Sequence, residues 1–409
     1  MERKWQLIIF CLIHAIILLI VFTIVYDTEG NSVYFGYSNM TIQGQMPYRD
    51  FAIEYPPLAL LFLTLPRLVA SSFTMYTYIF AAQILLFDLL GLFLISSLSR
   101  RLGLNLVATL AIYTLALLAI GPLLIIRYDL IPAIMVLLSI YAFSQSRYKL
   151  SWAILAIGMM TKIYPAVIAP IFLLYHFRHR QYRQIITGVG TFAITTAIIM
   201  VPCLLLSADG FWQSFSYHAQ RGLQSESTYA SFLLLGHTLG LNTIGIEFSF
   251  GSNNIVSPVA DTLTRFSPFI MLLSLAVVYW FFYKSYHKTA ATKGILAPIG
   301  QPDTVNIINY SLLAILAFMV TSKVLSPQFI IWLYPLVPLI AGRWRQASWL
   351  MFLIIGIMTY YVFPQHYGEF LQIEPKVIDI LLWRNILLIA LAGLLLGERK
   401  TGGDSVIGT

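Results

Sequence analysis

Three short stretches place a cation beside a proline between apolar runs: "RYDLIP" (Arg127 to Pro132), "TKIYP" (Thr161 to Pro165) and "SKVLSP" (Ser322 to Pro327). Proline explains the break in each helix, because it lacks an amide proton and its ring collides with the preceding turn. It does not explain a basic residue at every break. Each tip taken alone has a local reading, either a snorkelling side chain or an ion pair such as Arg127 with Asp129. Together with Arg221 in "YHAQRGLQSES", the set Arg127, Lys162, Arg221 and Lys323 suits one shared anionic ligand. A phosphate or diphosphate headgroup on a lipid tail fits, since Arg grips such a group through paired N–H donors. His218 lies near enough in sequence to add a further phosphate donor.

The second chemical set lies in residues 26–58, "YDTEGNSVYFGYSNMTIQGQMPYRDFAIEYPPL". Asp27 and Glu29 form an acid-x-acid pair where the first apolar run ends, and Asp50 and Glu54 follow. A carboxylate at a membrane edge faces a low dielectric on one side, which makes it more basic. That property serves a group taking a proton from a hydroxyl. Solvation alone accounts for Asp50. The aromatic density (Tyr26, Tyr34, Phe35, Tyr37, Tyr48, Phe51, Tyr55) fits an interfacial belt and also fits stacking on sugar rings. Tyr48, Glu54, Asp129, Glu226 and Gln328 are the candidates for binding a substrate.

These residues need a membrane scaffold. The chain has 409 residues, 59% hydrophobic and 10% charged, with a mean hydropathy of +0.80. Soluble domains carry about 25% charged residues. The apolar runs approach the ~20 residues needed to span a bilayer and do not alternate as barrel strands do. The net charge of +8 does not imply a nucleic-acid partner. Its basic residues cluster between apolar runs, at Arg3/Lys4, Arg100/Arg101, Arg147/Lys149, Arg178/Arg180/Arg183, Lys284/Lys288/Lys293, Arg343/Arg345 and Arg399/Lys400. This is the pattern of cytoplasmic loops. Cys11 and Cys203 read as small buried hydrophobes.

The expected fold is an all-α polytopic membrane protein of about twelve transmembrane helices, with both termini cytoplasmic. The spans fall at 5–26, 73–98, 104–126, 130–145, 150–162, 164–177, 185–206, 263–284, 305–322, 326–342, 348–363 and 377–396. Outer loops cover 27–72 and 207–262, and 57–70 is a short interfacial or re-entrant helix. Residues 150–177 form a short hairpin with "TKIYP" at its tip. Residues 1–400 make a single integral-membrane domain, followed by a disordered polar tail at 401–409.

Walker, GxSxG and HExxH motifs are absent, and the seven histidines show no ligand spacing. The pieces that remain resemble the GT-C superfamily of membrane glycosyltransferases, and glycosyltransferase family 87 in particular. They are "GQMPYRDFAIEYPPL", "RYDLIPAIMVLLSIYAF", "MMTKIYPAVIAPIFLLY", "RGLQSESTYASFLL" and "LSPQFIIWLYPLVPL", in order. The resemblance implies a polyprenyl-phosphate sugar donor, mannose by the family's habit, and a catalytic carboxylate in the first outer loop. By position that carboxylate is Asp27, or Glu29 as the alternative. The acids lie further upstream of Gly44 than the family pattern, and the second is Glu rather than Asp.

The expected activity is inverting transfer to a hydroxyl of a lipid-linked or cell-envelope glycan, on the outer face of a prokaryotic plasma membrane. No cofactor is expected, since two carboxylates alone make a weak divalent-cation site. The rival reading is a transporter or flippase of a lipid-linked or anionic solute. A transporter usually shows paired repeats with midplane binding groups, and no such repeat is visible here.

Overall fold

A computed structural model describes residues 2–25, 31–285 and 299–397. Asp27, Glu29, Lys288, Lys293, Arg399, Lys400 and the 401–409 tail lie outside the described residues. The chain opens with α1 (Glu2–Val25), followed by the short α2 (Ser32–Ile42) and α3 (Pro57–Arg67) and the long α4 (Phe73–Arg101). Next come α5 (Leu106–Ile120), α6 (Leu123–Ile126), α7 (Leu130–Ser144), α8 (Tyr148–Thr161), α9 (Ala169–Arg178) and α10 (Tyr182–Leu206). After α11 (Ala208–Gln220), the strand β1 (Leu223–Gln224), α12 (Thr228–Thr238) and the strands β2 (Gly245–Ser249) and β3 (Ser252–Val256) build a cap. The helices α13 (Pro258–Ser285), α14 (Gln301–Thr321), α15 (Arg345–Tyr360), α16 (Tyr367–Leu371) and α17 (Pro375–Gly397) complete the chain.

Among the described residues, seven helices are long and apolar enough to cross a membrane: Trp5–Thr23, Phe73–Arg101, Tyr182–Leu206, Pro258–Ser285, Gln301–Thr321, Arg345–Gln365 and Pro375–Gly397. The count of about twelve therefore does not follow from length and composition. The expected span 104–126 is cut by Gly121-Pro122 into α5 and α6. The expected span 326–342 is not an α-helix. It forms 3-10 turns at Pro327–Trp332 and Val337–Leu339, because Pro327, Pro335 and Pro338 remove the donors an α-helix needs. Residues 148–178 do form the expected short hairpin, with α8 ending at Thr161 and a 3-10 turn leading into α9.

Burial sorts these helices by role. The helix α14 and the shorter α7 are mostly buried. In α10 the only fully buried residue is Gly188, so its apolar surface suits lipid. A Cβ on Gly188 would lie 2.3 Å from Trp152 Nε1, so glycine is what lets α10 close onto α8.

One end of the bundle collects basic loops. Arg101 donates to the Ile299 carbonyl at 2.6 Å, Gln301 donates to the Arg101 carbonyl at 2.8 Å, and the Ile299 amide donates to the Ser144 carbonyl at 3.2 Å. From there α14 runs to the opposite end, where Ser322 and Lys323 border a cavity.

That opposite end is where the two expected loops fold. Ser38 donates to the Leu63 carbonyl at 2.8 Å and Tyr76 to the same carbonyl at 3.0 Å, fastening α2, α3 and α4 together. The 207–262 stretch departs from an all-α fold by carrying a three-stranded antiparallel sheet in the order β1-β3-β2. Its β2–β3 turn holds Phe250 and Gly251 at φ of +50° and +65°, the left-handed pair a tight hairpin requires.

The loop 43–56 is fixed against α11 by Tyr48. The Tyr48 hydroxyl donates to the Tyr55 carbonyl at 2.7 Å, and its ring packs edge-on against Phe211 at 5.4 Å. A Cβ on Gly210 would sit 1.7 Å from the Tyr48 carbonyl oxygen. Gly210→Ala should therefore force the loop and helix apart and destabilise the protein by about 1–3 kcal/mol. Thermal unfolding of the detergent-solubilised protein measures this, and an unchanged midpoint would contradict the close contact.

Candidate functional site

A cavity of about 480 Å³ opens where the segment just before α7, the α8–α9 hairpin, the end of α14 and the β2–β3 hairpin converge. Arg127, Lys162, Arg221 and Lys323 all line it, against the two carboxylates Glu54 and Glu226. These four cations come from four separate breaks in the chain, and the fold brings them to one cavity.

Each cation is held differently. Lys162 sits at the hairpin tip, with Nζ 2.5 Å from Asp129 Oδ1 and within 4.9–5.7 Å of the ring centres of Tyr128, Trp332 and Phe329. Trp332 is itself stacked on Tyr164 at 4.0 Å and donates Nε1–H to the same Asp129 oxygen at 2.7 Å. Lys323 Nζ donates to the Ala219 and Arg221 carbonyls at 2.7 and 2.6 Å, which ties the end of α14 to the end of α11. Among the described residues the buried Nε atoms of Arg127 and Arg221 have no hydrogen-bond partner. Burial lowers the pKa of Arg221 and of Lys323. An anion in the cavity would offset that cost of holding charge away from water.

His218 also lines the cavity, and its Nε2–H donates to the Glu54 carbonyl at 2.8 Å. Burial lowers its pKa, partly opposed by that hydrogen bond. The neutral ring is thus favoured, and its remaining Nδ1 is an acceptor.

The two carboxylates differ in setting. Glu226 is 2% exposed and accepts from the Tyr367 hydroxyl at 2.9 Å and the Ser225 hydroxyl at 3.0 Å. Tyr367 in turn accepts from Asn253 Nδ2–H at 2.9 Å, and Arg384 donates to the Glu226 carbonyl oxygen at 2.7 Å. Burial raises the Glu226 pKa above its ordinary 4.5, and the hydrogen bonds from Tyr367 and Ser225 oppose the rise. Glu54 is half-buried and accepts from the Tyr37 hydroxyl at 2.5 Å.

Of the expected substrate-binding residues, Glu54, Glu226 and Gln328 line the cavity. Asp129 stands behind Lys162, and the ion pair it forms is the long-range one with Lys162. Tyr48 is not among the residues lining this cavity; it packs with Ile53, Leu60 and Phe211. Sequence reasoning passed over Tyr367, Asn253, Trp332 and Phe329, which the structure places in the wall. Trp332 and Phe329 follow directly on "SKVLSP", so that motif could have led to them. Tyr367 and Asn253 carry no local signal. Among the described residues no group of three or more His, Cys, Asp or Glu is placed to hold a metal ion.

Comparison with known proteins gives one family. The model of glycosyltransferase family 87 matches residues 53–298. That stretch contains Glu54, Arg127, Lys162, Arg221 and Glu226. No curated protein and no solved structure matches the chain.

The raised Glu226 pKa gives a signed pH effect. Folding keeps a proton on Glu226 at pH values where the unfolded chain releases it, so its contribution is full below about 4.5 and is lost as pH rises through the folded pKa. Glu226→Gln should flatten this part of the stability–pH profile, and unfolding midpoints from about pH 4 to about pH 8 measure it. Parallel profiles for the two proteins would show that the carboxyl is not perturbed.

Proposed function

The chain belongs to glycosyltransferase family 87 and so is a membrane glycosyltransferase, and from that premise we propose that it moves mannose from a polyprenyl-phosphate donor to a hydroxyl of a lipid-linked or envelope glycan. Residues 1–400 act as one domain in this reading, and the transfer takes place on the outer face. The observation that carries it is the meeting of Arg127, Lys162, Arg221 and Lys323 at one cavity, with two guanidinium Nε atoms unpartnered among the described residues. That set is chemically matched to a phosphate ester.

In the proposed reaction the acceptor oxygen attacks the anomeric carbon from the face opposite the phosphate. The bond from that carbon to the phosphate oxygen breaks, and the lipid phosphate departs with the electron pair. The four cations balance the charge that develops on it. The acceptor proton passes to a carboxylate of the first loop, Asp27 or Glu29. The described residue Val33, close beyond Glu29 in the chain, lines a cavity that adjoins the first. Glu226 and Gln328 in the cavity wall are suited to sugar hydroxyls, and aromatic rings beside them to a sugar face.

The test is transfer of labelled mannose from polyprenyl-phosphate-mannose to a mixed glycolipid pool by the reconstituted protein. Asp27→Asn or Glu29→Gln should lose product while still binding donor, which names the base. General-base loss costs about 10²–10⁴-fold. Arg221→Met should lower kcat/KM about 10²-fold, as removal of one charge-stabilising donor does. Equal turnover in both acid variants would remove the loop from the mechanism. Protein-dependent movement of the lipid without transfer would instead identify a flippase.

A further inference from the structure

A second cavity, of about 600 Å³, adjoins the first. Glu54, Tyr55, Arg127, Tyr217, Phe248 and Gly251 border both. The new space lies between one face of α2, carrying Val33, Tyr34 and Tyr37, and one face of α11, carrying Gly210, Gln213, Ser214 and Tyr217. On each helix these positions recur at three- and four-residue spacing, so each group shares one side.

The chemistry of this lining differs from that of the first cavity. Among the described residues Arg127 is the only cation that lines it, and the Glu54 carboxylate lines it too. Lys162, Arg221 and Lys323 belong to the first cavity alone. A carboxylate accepts hydrogen bonds and repels anions, so the ligand group beside Glu54 must be a donor such as a hydroxyl. Tyr37 already donates to one Glu54 oxygen at 2.5 Å, which fixes the carboxylate's orientation. Gln213 supplies an amide that both donates and accepts, and the rings of Tyr34, Tyr37, Tyr55 and Tyr217 supply flat apolar faces. Aromatic faces with a carboxylate and an amide suit a sugar ring, and the volume falls in the usual range for small-ligand sites.

We propose that this second cavity is the acceptor site, that it takes a neutral, hydroxyl-rich sugar headgroup, and that Glu54 at the shared wall holds the acceptor hydroxyls toward the donor cavity. The assignment rests on the glycosyltransferase reading above and adds a division of labour: phosphate in the first cavity, neutral glycan in the second. Transfer then occurs across the wall formed by Glu54, Tyr55, Arg127 and Tyr217.

Binding tests this without turnover. The full-length protein in nanodiscs is titrated with octyl α-mannoside below its micelle concentration, and separately with farnesyl phosphate. Gln213→Leu with Ser214→Leu fills the second cavity and should weaken the glycoside about tenfold or more while leaving farnesyl phosphate within about twofold. Arg221→Met with Lys323→Met should do the reverse. Gln213→Ala alone, at an exposed position, guards against misfolding of the double variant and should also weaken the glycoside. Glu54→Gln should weaken the glycoside with an unchanged unfolding midpoint. The proposal is overturned if wild type does not bind the glycoside, if filling the cavity leaves its binding unchanged, or if the Arg221/Lys323 variant loses it equally. Failure of wild type to bind farnesyl phosphate, with the glycoside results as expected, would strike the donor reading and leave the sugar site standing.

Discussion

Lys162 and Asp129 meet at 2.5 Å with side-chain exposures of 16% and 1%, and the arrangement of the candidate site hangs on that contact. Lys162 belongs to the tip of the α8–α9 hairpin, and Asp129 to the start of α7. Trp332, on the 3-10 segment after "SKVLSP", donates to the same carboxylate oxygen. One buried carboxylate therefore joins three parts of the chain. Such a pair gives little net stability over an apolar replacement, but removing one partner leaves an uncompensated buried charge at a cost of about 3–5 kcal/mol. The pair thus acts mainly on geometry. It holds a cation at the cavity wall and keeps the aromatic rings of Tyr164, Trp332 and Phe329 stacked around it.

A second buried carboxylate steadies the same segment from below. Tyr334, two residues beyond Trp332, donates to Asp88 Oδ1 at 3.0 Å. Asp88 also meets His14 Nδ1 at 2.6 Å, and His14 Nε2 lies 2.8 Å from the Thr114 hydroxyl. The rings of Tyr113 and Tyr334 stack at 4.2 Å beside this cluster. The proline-rich 327–339 run lacks a continuous helix to satisfy its own backbone. Irregular backbone at such depth is tolerated where protein surrounds it, and these polar anchors on α1, α4 and α5 supply that surround.

The capping segments complete the site by long-range contacts. Lys323 fastens the end of α14 to the carbonyls of Ala219 and Arg221. Gln224 and Ser326 bond side chain to side chain at 3.0 Å. His218 reaches back to Glu54. The first loop, the cap and the end of α14 are thereby tied around one space, divided into a cation-rich half and a half that, among the described residues, Arg127 alone lines as a cation.

The sequence by itself determined the membrane class, the short hairpin at 150–177 and the four cations at chain breaks. These are local properties: apolar run length, proline chemistry and the position of charge relative to both. It also carried the family resemblance, through stretches whose order along the chain is legible without a fold. Tertiary structure alone decided that Asp129 forms its ion pair with Lys162, and that Tyr48 braces a loop. It also set Tyr367 and Asn253 beside Glu226. Each of those outcomes depends on residues far apart in sequence, for which periodicity and composition carry no signal. The expected span at 326–342 is not a helix for a related reason: its apolar residues are buried by protein in 3-10 turns, and hydropathy does not distinguish a protein interior from lipid.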